Sequence, residues 1–411
     1  MRDRELYAKI LGIERPWKVV EVDLDIREGR VEVHLEHRGG TLHCPECGRA
    51  APGYDVRERR WRHLDTCQYQ TILVAKVPRV TCAEHGVLQT RVPWAEPGSR
   101  FTALFEALVI DWLQETSASG VARQLGLTWD QVDGVMQRAV RRGLARREAR
   151  LPEHIGVDET SFQKRHEYVT IVHDAQTGAV VHVGDERKKE VLADFYAQFS
   201  KEDRARVQSV AMDMWLPYIQ ATKDAIPGAE NKIAFDKFHI AKHLGDAVDK
   251  VRRQEHRELR RQGDESLTKT KYLWLTHPAN IRDDHWAAFK ALRTSNLRTA
   301  RAWAIKETAM QLWHYTSRTW AEKGWIRWYG WAFRCRLAPM KEVGRMIKSH
   351  LWGIINAVVT NTTNARAESL NSVVQWMKYT ARGYRNRERF RVAIYFHIGG
   401  LDLYPTGVVR T

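Results

Sequence analysis

The sequence predicts a multidomain α/β protein in which two small modules precede a mixed core that a long helical segment interrupts. Three observations carry that expectation. Residues 1–95 alternate apolar and polar positions around cysteine-bearing turns, and residues 101–150 switch to helical spacing. Residues 154–236 then alternate apolar strand-like runs with amphipathic helices before a Trp-rich helical stretch begins. A chain of 411 residues with 43% hydrophobic content is long enough for several cores. Its net charge of +16 favours a polyanionic partner, because each neutralised phosphate releases counterions. Five cysteines, an odd number, argue against a disulfide framework, and no charged-then-apolar leader opens the chain. No apolar run approaches the roughly 20 residues that a membrane helix needs. A cytoplasmic, nucleoid-associated protein without membrane contact is expected.

In the first module, Val19–Leu24 and Arg30–Leu35 alternate as strands around the turn Glu28-Gly29. Cys44-Pro45-Glu46-Cys47 then forms a C-x-x-C turn, and Cys82-Ala83-Glu84-His85 a C-x-x-H partner. Two soft donors at that spacing share one face of a turn, so the pair of turns completes a closed tetrahedral site for one structural Zn2+. His43, His63 and Cys67 are alternative ligands. Tyr69–Val74 and Lys76–Thr81 are expected as two strands that return the second turn to the first, and Cys335 as buried packing.

From Phe101 to Trp112 the apolar positions recur at helical spacing. Gly126 then stops one helix, and Thr128 with Gln131 forms a capping box for the next. This is a helix-turn-helix whose second helix, Thr128–Arg142, is the recognition helix. Arg123, Trp129, Gln131, Arg138, Arg141, Arg142, Arg146 and Arg147 are the expected DNA contacts. A hairpin used only for packing is the plainer alternative, against which the basic tail weighs.

After Pro152 the strands His154–Asp158, Tyr168–His173 and Val180–Val183 precede a helix over Glu190–Phe199. Arg165 and His166 are read as part of the second strand. Val207–Asp213 and Lys232–Asp236 are apolar strands that end in Asp. That β-β-β-α-β-α-β order is the order of an RNase H-like fold, in which nearby strands deliver acidic residues to one sheet end. Residues 237–363 are expected to be a helical insertion, and Asn364 the N-cap of C-terminal helices that complete the core. The expected domains are 1–95, 96–150, 151–236, 237–363 and 364–411.

Two-metal phosphoryl transfer needs hard oxygen donors that hold two cations about 3.5–4 Å apart. Asp158, Asp213 and Glu368 occur in the order such a site requires, and would be both catalytic residues and ligands for two Mg2+ or Mn2+. Each has a plainer reading as a strand-end turn, a helix cap or a solvated helix residue. Glu159 is set aside because strand alternation turns it to the opposite face. Asp236 and His239 are expected to support the site. Asn371, with Ser372 and Gln375, shares the helical face of Glu368.

With these residues in place the sequence resembles the bacterial insertion-sequence DDE transposases of the ISL-three family. The resemblance spans nearly the whole chain. It rests on the Cys44–His85 finger, Gly156-Val157-Asp158-Glu159, Asp236-x-x-His239, Thr363–Asn371 and Gly383-Tyr384-Arg385-Asn386 with Phe390. It implies a DDE triad of Asp158, Asp213 and Glu368 and N-terminal modules that bind terminal inverted repeats. It also implies that a helical insertion separates the second Asp from the Glu. The expected reaction is hydrolysis at the element ends followed by attack of the freed 3′-hydroxyl on target DNA, by a homodimer. Arg366, Lys378, Arg382 and Arg385 would contact the double-stranded DNA. The rival readings are a DNA-binding regulator without catalysis and a structure-selective nuclease.

Overall fold

Parallel pairing of three strands decides where the acidic residues stand. The computed structural model describes residues 3–163, 167–362 and 365–408, apart from the side chains of Gln163, Ala365, Ala367 and Glu368. The expectations for Arg165, His166 and the Asn364 cap lie outside the described residues.

The N-terminal unit begins with a helix that sequence reasoning did not anticipate, α1 (Asp3–Ile10). Five strands follow: β1 (Trp17–Asp25), β2 (Arg30–His37), β3 (Gly53–Arg62), β4 (Gln70–Cys82) and β5 (Gly86–Gln89). They form one sheet in the order β1-β2-β4-β3, with β5 on the end of β4. β4 is a single strand of 13 residues, not the two expected, and β3 was unforeseen. Its sequence GYDVRERRWR shows why: eight of its ten residues are exposed, so apolar alternation is nearly absent. Trp17, Trp61 and Trp94 meet edge to face in this unit's core.

Helices α2 (Ala103–Glu115), α3 (Ala118–Leu125) and α4 (Trp129–Arg146) follow. Gly126 closes α3 in the left-handed region at φ 63°, and Thr128 and Gln131 form the capping box that opens α4.

The second sheet contains β6 (His154–Gln163), β7 (Glu167–Asp174), β8 (Val180–Asp185), β9 (Ser209–Met212) and β10 (Ile233–Phe235), in the order β10-β9-β6-β7-β8. β6, β7 and β8 are an antiparallel meander, while β9 and β10 run parallel to β6. Between β8 and β10 lie α5 (Lys189–Ala197), α6 (Lys201–Arg206), α7 (Leu216–Ala225) and α8 (Ala229–Lys232). Seven helices then make the insertion: α9 (Lys237–Arg261), α10 (Lys271–Leu275), α11 (Asp283–Thr294), α12 (Arg298–Gln311), α13 (Arg318–Arg334), α14 (Ala338–Ser349) and α15 (Leu351–Thr360). The chain finishes with α16 (Ala365–Thr380) and α17 (Arg387–Ile398).

Each face of this sheet builds a core shared with another segment. Ile155, Val157 and Met212 pack with Leu192, Tyr218 and the insertion's Trp274, Trp325 and Trp328. Phe162, Val169 and Val183 pack with Val374 and Phe390 of the C-terminal helices and with Phe105 and Val135 of the helix-turn-helix. Continuous apolar cores therefore cross the positions near 150 and 237 where the sequence suggested boundaries. The insertion uses its tryptophans mainly for this packing. Trp328 Nε1 donates to Ile305 O at 2.8 Å, and Cys335 is buried as expected.

Gly156 is required for the sheet to close. A Cβ there would lie 2.1 Å from the ring of His173 on β7, closer than any tolerable contact. His173 is 1% exposed, and burial lowers its pKa to about 4; burial also lowers His63, which pairs with Thr102 Oγ1 at 2.8 Å, to about 4. Both folded values lie below the unfolded value of about 6.5, so the unfolded chain takes up the proton first. We expect the contribution of these two histidines to stability to be constant above about pH 7 and to be lost between there and about pH 4, by up to roughly 3 kcal/mol per histidine. Thermal midpoints across that range, compared with His173→Phe, check it: the variant should show a shallower acid loss.

Candidate functional site

Two polar constellations stand apart from the cores. In the first, the Cys44 turn is held by Cys44 N donating to Arg49 O at 2.8 Å and Gly48 N to Cys44 O at 3.0 Å, with Gly48 at φ 72°. The partner turn joins β4 to β5, where Cys82 pairs with Gly86. The donor atoms of Cys44, Cys47, Cys82 and His85 all lie within 4.8 Å of one another. Cys47 Sγ is 3.8 Å from Cys82 Sγ, and His85 Nδ1 lies 3.5 Å from Cys82 Sγ and 3.8 Å from Cys44 Sγ. A tetrahedron with Zn–S bonds of about 2.3 Å has edges of about 3.8 Å, so this donor set fits zinc without rearrangement. The His85 contact holds the Cys82 thiol down at about 6, ready to ligate as thiolate. The alternative ligands His43, His63 and Cys67 do not belong to this donor cluster, and His63 is buried against Thr102.

The second constellation lies at the sheet edge. β6 and β9 pair in parallel with Gly156 opposite Ala211, and β9 and β10 with Met212 opposite Phe235. Extending each register brings Asp158, Asp213 and Asp236 to one level on three neighbouring strands, about 4.8 Å apart between strand axes. Asp158 is not at a strand end, because β6 continues to Gln163 in the hairpin with β7. It stands just beyond the last residue paired to β9. Its Oδ1 accepts from Glu159 N and its Oδ2 from Asn371 Nδ2, each at 2.8 Å. Burial raises the Asp158 pKa, against those two hydrogen bonds and the charge of His239.

Asp213 Oδ1 accepts from Met214 N at 2.6 Å, and its Oδ2 lies 3.7 Å from His239 Nδ1. Asp236 caps α9 by accepting from Phe238 N at 3.1 Å, and its Oδ2 is 3.9 Å from His239 Nε2. His239 thus stands between two aspartates, one turn into α9. Glu368 belongs to α16 one turn before Asn371; its side chain lies outside the described residues.

Sequence reasoning missed two members of this group. Arg187, between β8 and α5, has Nη2 2.8 Å from Glu159 Oε1 and 3.6 Å from Asp213 Oδ2, and its guanidinium lies 4.0 Å above the Trp215 ring. Alternation does place Glu159 on the face opposite Asp158, yet Arg187 reaches around the strand end and joins it to Asp213. Burial pushes Glu159 up to about 7 despite the Arg187 charge. No sequence spacing links residues 159, 187 and 213.

Comparison with known proteins decides the family. The DDE model of the ISL3 type, described as Transposase, matches residues 155–394, more than half of the chain. The chain belongs to the ISL3 transposase family. The helix-turn-helix domain of transposase family ISL3 matches residues 90–140, and the zinc-finger of transposase IS204/IS1001/IS1096/IS1165 matches residues 41–85. The transposase for insertion sequence element IS1001 of Bordetella parapertussis is 26% identical over 400 residues, covering 96% of this chain and 98% of that protein. The transposase for insertion sequence element IS1557 of Mycobacterium tuberculosis is 26% identical over 425 residues, covering 94% and 93%. DNA is therefore the partner of this transposase. Among the described residues no helix is long and apolar enough to cross a membrane.

The expected DNA contacts of the transposase divide into two groups. Several hold partners within the chain. Arg138 Nε donates to Glu106 Oε1 at 2.9 Å, and that carboxylate is 1% exposed. Arg142 joins Glu96 and the Leu403 carbonyl; Arg146 reaches Asp402 and the Tyr404 carbonyl, each at 2.7 Å. Arg147 bonds the carbonyls of Val180 and Gly399. Arg366 donates to Thr177 O at 3.0 Å, and Lys378 to the Ser161 carbonyl. These side chains fasten the helix-turn-helix and α16 to the sheet and to the C-terminal segment. Gln131 is committed to its cap, and Trp129 lies 4.4 Å under Arg389. Arg123, Arg141, Arg382 and Arg385 are exposed. Arg382 and Arg385 line a cavity of about 480 Å³ with Trp129, Trp376 and Tyr384, between the recognition helix and the α16–α17 loop.

Three outcomes follow for the purified transposase. Cys82→Ala, or a strong chelator, should release bound zinc and lower the thermal midpoint, read by a colorimetric zinc assay and differential scanning fluorimetry. Arg138→Gln should cost about 2 kcal/mol of stability, because buried Glu106 loses its closest charged partner and keeps only Ser99 Oγ at 2.7 Å and Arg142 at 3.7 Å. Arg141→Gln should leave stability unchanged and lower the salt dependence of DNA binding by about one phosphate contact.

Proposed function

We propose that this transposase binds the terminal inverted repeats of its insertion sequence through the zinc finger and helix-turn-helix. On this reading it then hydrolyses the DNA at the element ends and joins the freed 3′-hydroxyls to target DNA. The sheet would be an RNase H-like core, a reading supported by its order of a three-strand meander followed by two parallel strands. The observation that carries the catalytic assignment is the parallel register that brings Asp158 and Asp213 level on β6 and β9. Glu368 enters because Asn371, one helical turn further along α16, is bonded to Asp158.

The donor set fits a hard divalent cation: oxygen ligands on adjacent strands, one of them desolvated enough to raise its pKa. Bound Mg2+ or Mn2+, two per site, would polarise the scissile phosphate and activate the attacking water or hydroxyl. Asp158, Asp213 and Glu368 would hold the cations. Asn371 would hold Asp158 in its bound rotamer, while Asp236 and His239 would orient Asp213 from α9. Arg123, Arg141, Arg382 and Arg385 would bind phosphates along the approach to the site. Two ends must be brought together, which favours a homodimer acting at the nucleoid in the cytoplasm.

The test is a duplex carrying the element end, incubated with Mg2+ or Mn2+. Asp158→Asn, Asp213→Asn and Glu368→Gln should each lose strand cleavage while retaining specific binding in a mobility-shift assay. A triple variant that still cleaves would refute the assignment.

A further inference from the structure

Arg187 puts a fixed positive charge where the proposed chemistry needs room for cations. Its guanidinium lies 4.0 Å over the Trp215 ring and is 2.8 Å from Glu159 Oε1, and it also approaches Asp213 Oδ2 to 3.6 Å. The side chains of Arg187, Glu159 and Asp213 are 25%, 16% and 20% exposed, so solvent screens this contact only in part. Arg187 Nε and Glu159 Oε2 are both buried, with no hydrogen-bond partner among the described residues. A cation held this firmly competes with any other cation for Asp213.

Resting on the metal reading proposed above, we infer that Arg187 is the resident counter-cation of Asp213, and that a divalent metal loads at Asp213 by displacing it. The arginine keeps two anchors after that displacement. The indole face of Trp215 continues to hold the planar guanidinium, and Glu159 continues to balance its charge. Glu159 therefore acts at a distance: by drawing Arg187 to the far face of β6 it lowers the cost of freeing Asp213. Arg187 and Glu159 are positioning residues for the metal site, and together they set how much free cation the transposase requires. This accounts for a buried carboxylate next to Asp158 that points away from the sheet face on which Asp158 accepts from Asn371.

The experiment measures Mn2+ binding to the full-length, zinc-loaded transposase without turnover, by the electron paramagnetic resonance signal of free Mn2+. Arg187→Gln should tighten Mn2+ binding by about fivefold or more, since one competing unit charge is removed at short range. Glu159→Gln should weaken it by about fivefold, because Arg187 then settles on Asp213. In the double variant the Glu159→Gln penalty should shrink, since the arginine through which it acts is gone. Asp213→Asn is the control for the underlying reading. If Asp213→Asn loses Mn2+ while Arg187→Gln and Glu159→Gln bind as the wild type does, the metal site stands and this inference is overturned. Unchanged Mn2+ binding with a lowered thermal midpoint would make Arg187 a structural clamp, which also overturns it. If Asp213→Asn binds as the wild type does, or the wild type takes up no Mn2+, the metal reading falls and the inference with it. Should Arg187→Gln fail to fold, Glu159→Gln decides alone by the direction of its shift.

Discussion

Parallel hydrogen bonding between β6, β9 and β10 is the constraint on which the rest of the transposase depends. Strands in that relation place residues of equal register level with one another, so three aspartates from distant parts of the chain reach one edge. On its other side β6 pairs with antiparallel β7, where Gly156 leaves room for the buried ring of His173. Burial makes the arrangement costly to leave uncompensated. Asp158 is supplied with two hydrogen bonds, Asp213 with a backbone N–H, His239 and Arg187, and Asp236 with a helix terminus. The carboxylates are held in place before any cation or DNA arrives.

The same sheet mechanically unites the modules that a transposase must coordinate. One face is covered by α5, α7 and the insertion, the other by α16, α17 and the helix-turn-helix. Arginines at the end of α4 bond the carbonyls of Leu403, Tyr404 and Gly399, so the recognition helix and the C-terminal segment form one packed unit. α16 carries Glu368 and Asn371 and is fastened to β6 through Lys378. Packed side chains, rather than a linker, thus connect α4 to the sheet that carries Asp158.

Much of this was legible in the sequence where a local rule dominates. Cysteine spacing located the finger, Gly126 with the Thr128–Gln131 box located the turn of the helix-turn-helix, and apolar runs ending in Asp located β9 and β10. The features that were missed depend on tertiary partners. β3 is polar on both faces, so periodicity is blind to it. An arginine that pins a buried Glu106 has the same letter as one that stands exposed, and position on a helix does not separate Arg138 from Arg141. Glu159 was set aside by a correct statement about strand alternation. What alternation could not foresee is a guanidinium from residue 187 that passes around the strand end. Residues 7–95 build a core of their own, whereas the segments on either side of positions 150 and 237 share cores, because both faces of one sheet are covered by other segments.

The most direct measurement is anomalous diffraction from crystals of the transposase bound to an element end and soaked with Mn2+. The account predicts manganese at the β6–β9 edge, with Asp158 and Asp213 as shared ligands and Glu368 completing the site from α16. Manganese located elsewhere, or these carboxylates too far apart to meet one ion while DNA is bound, would contradict it.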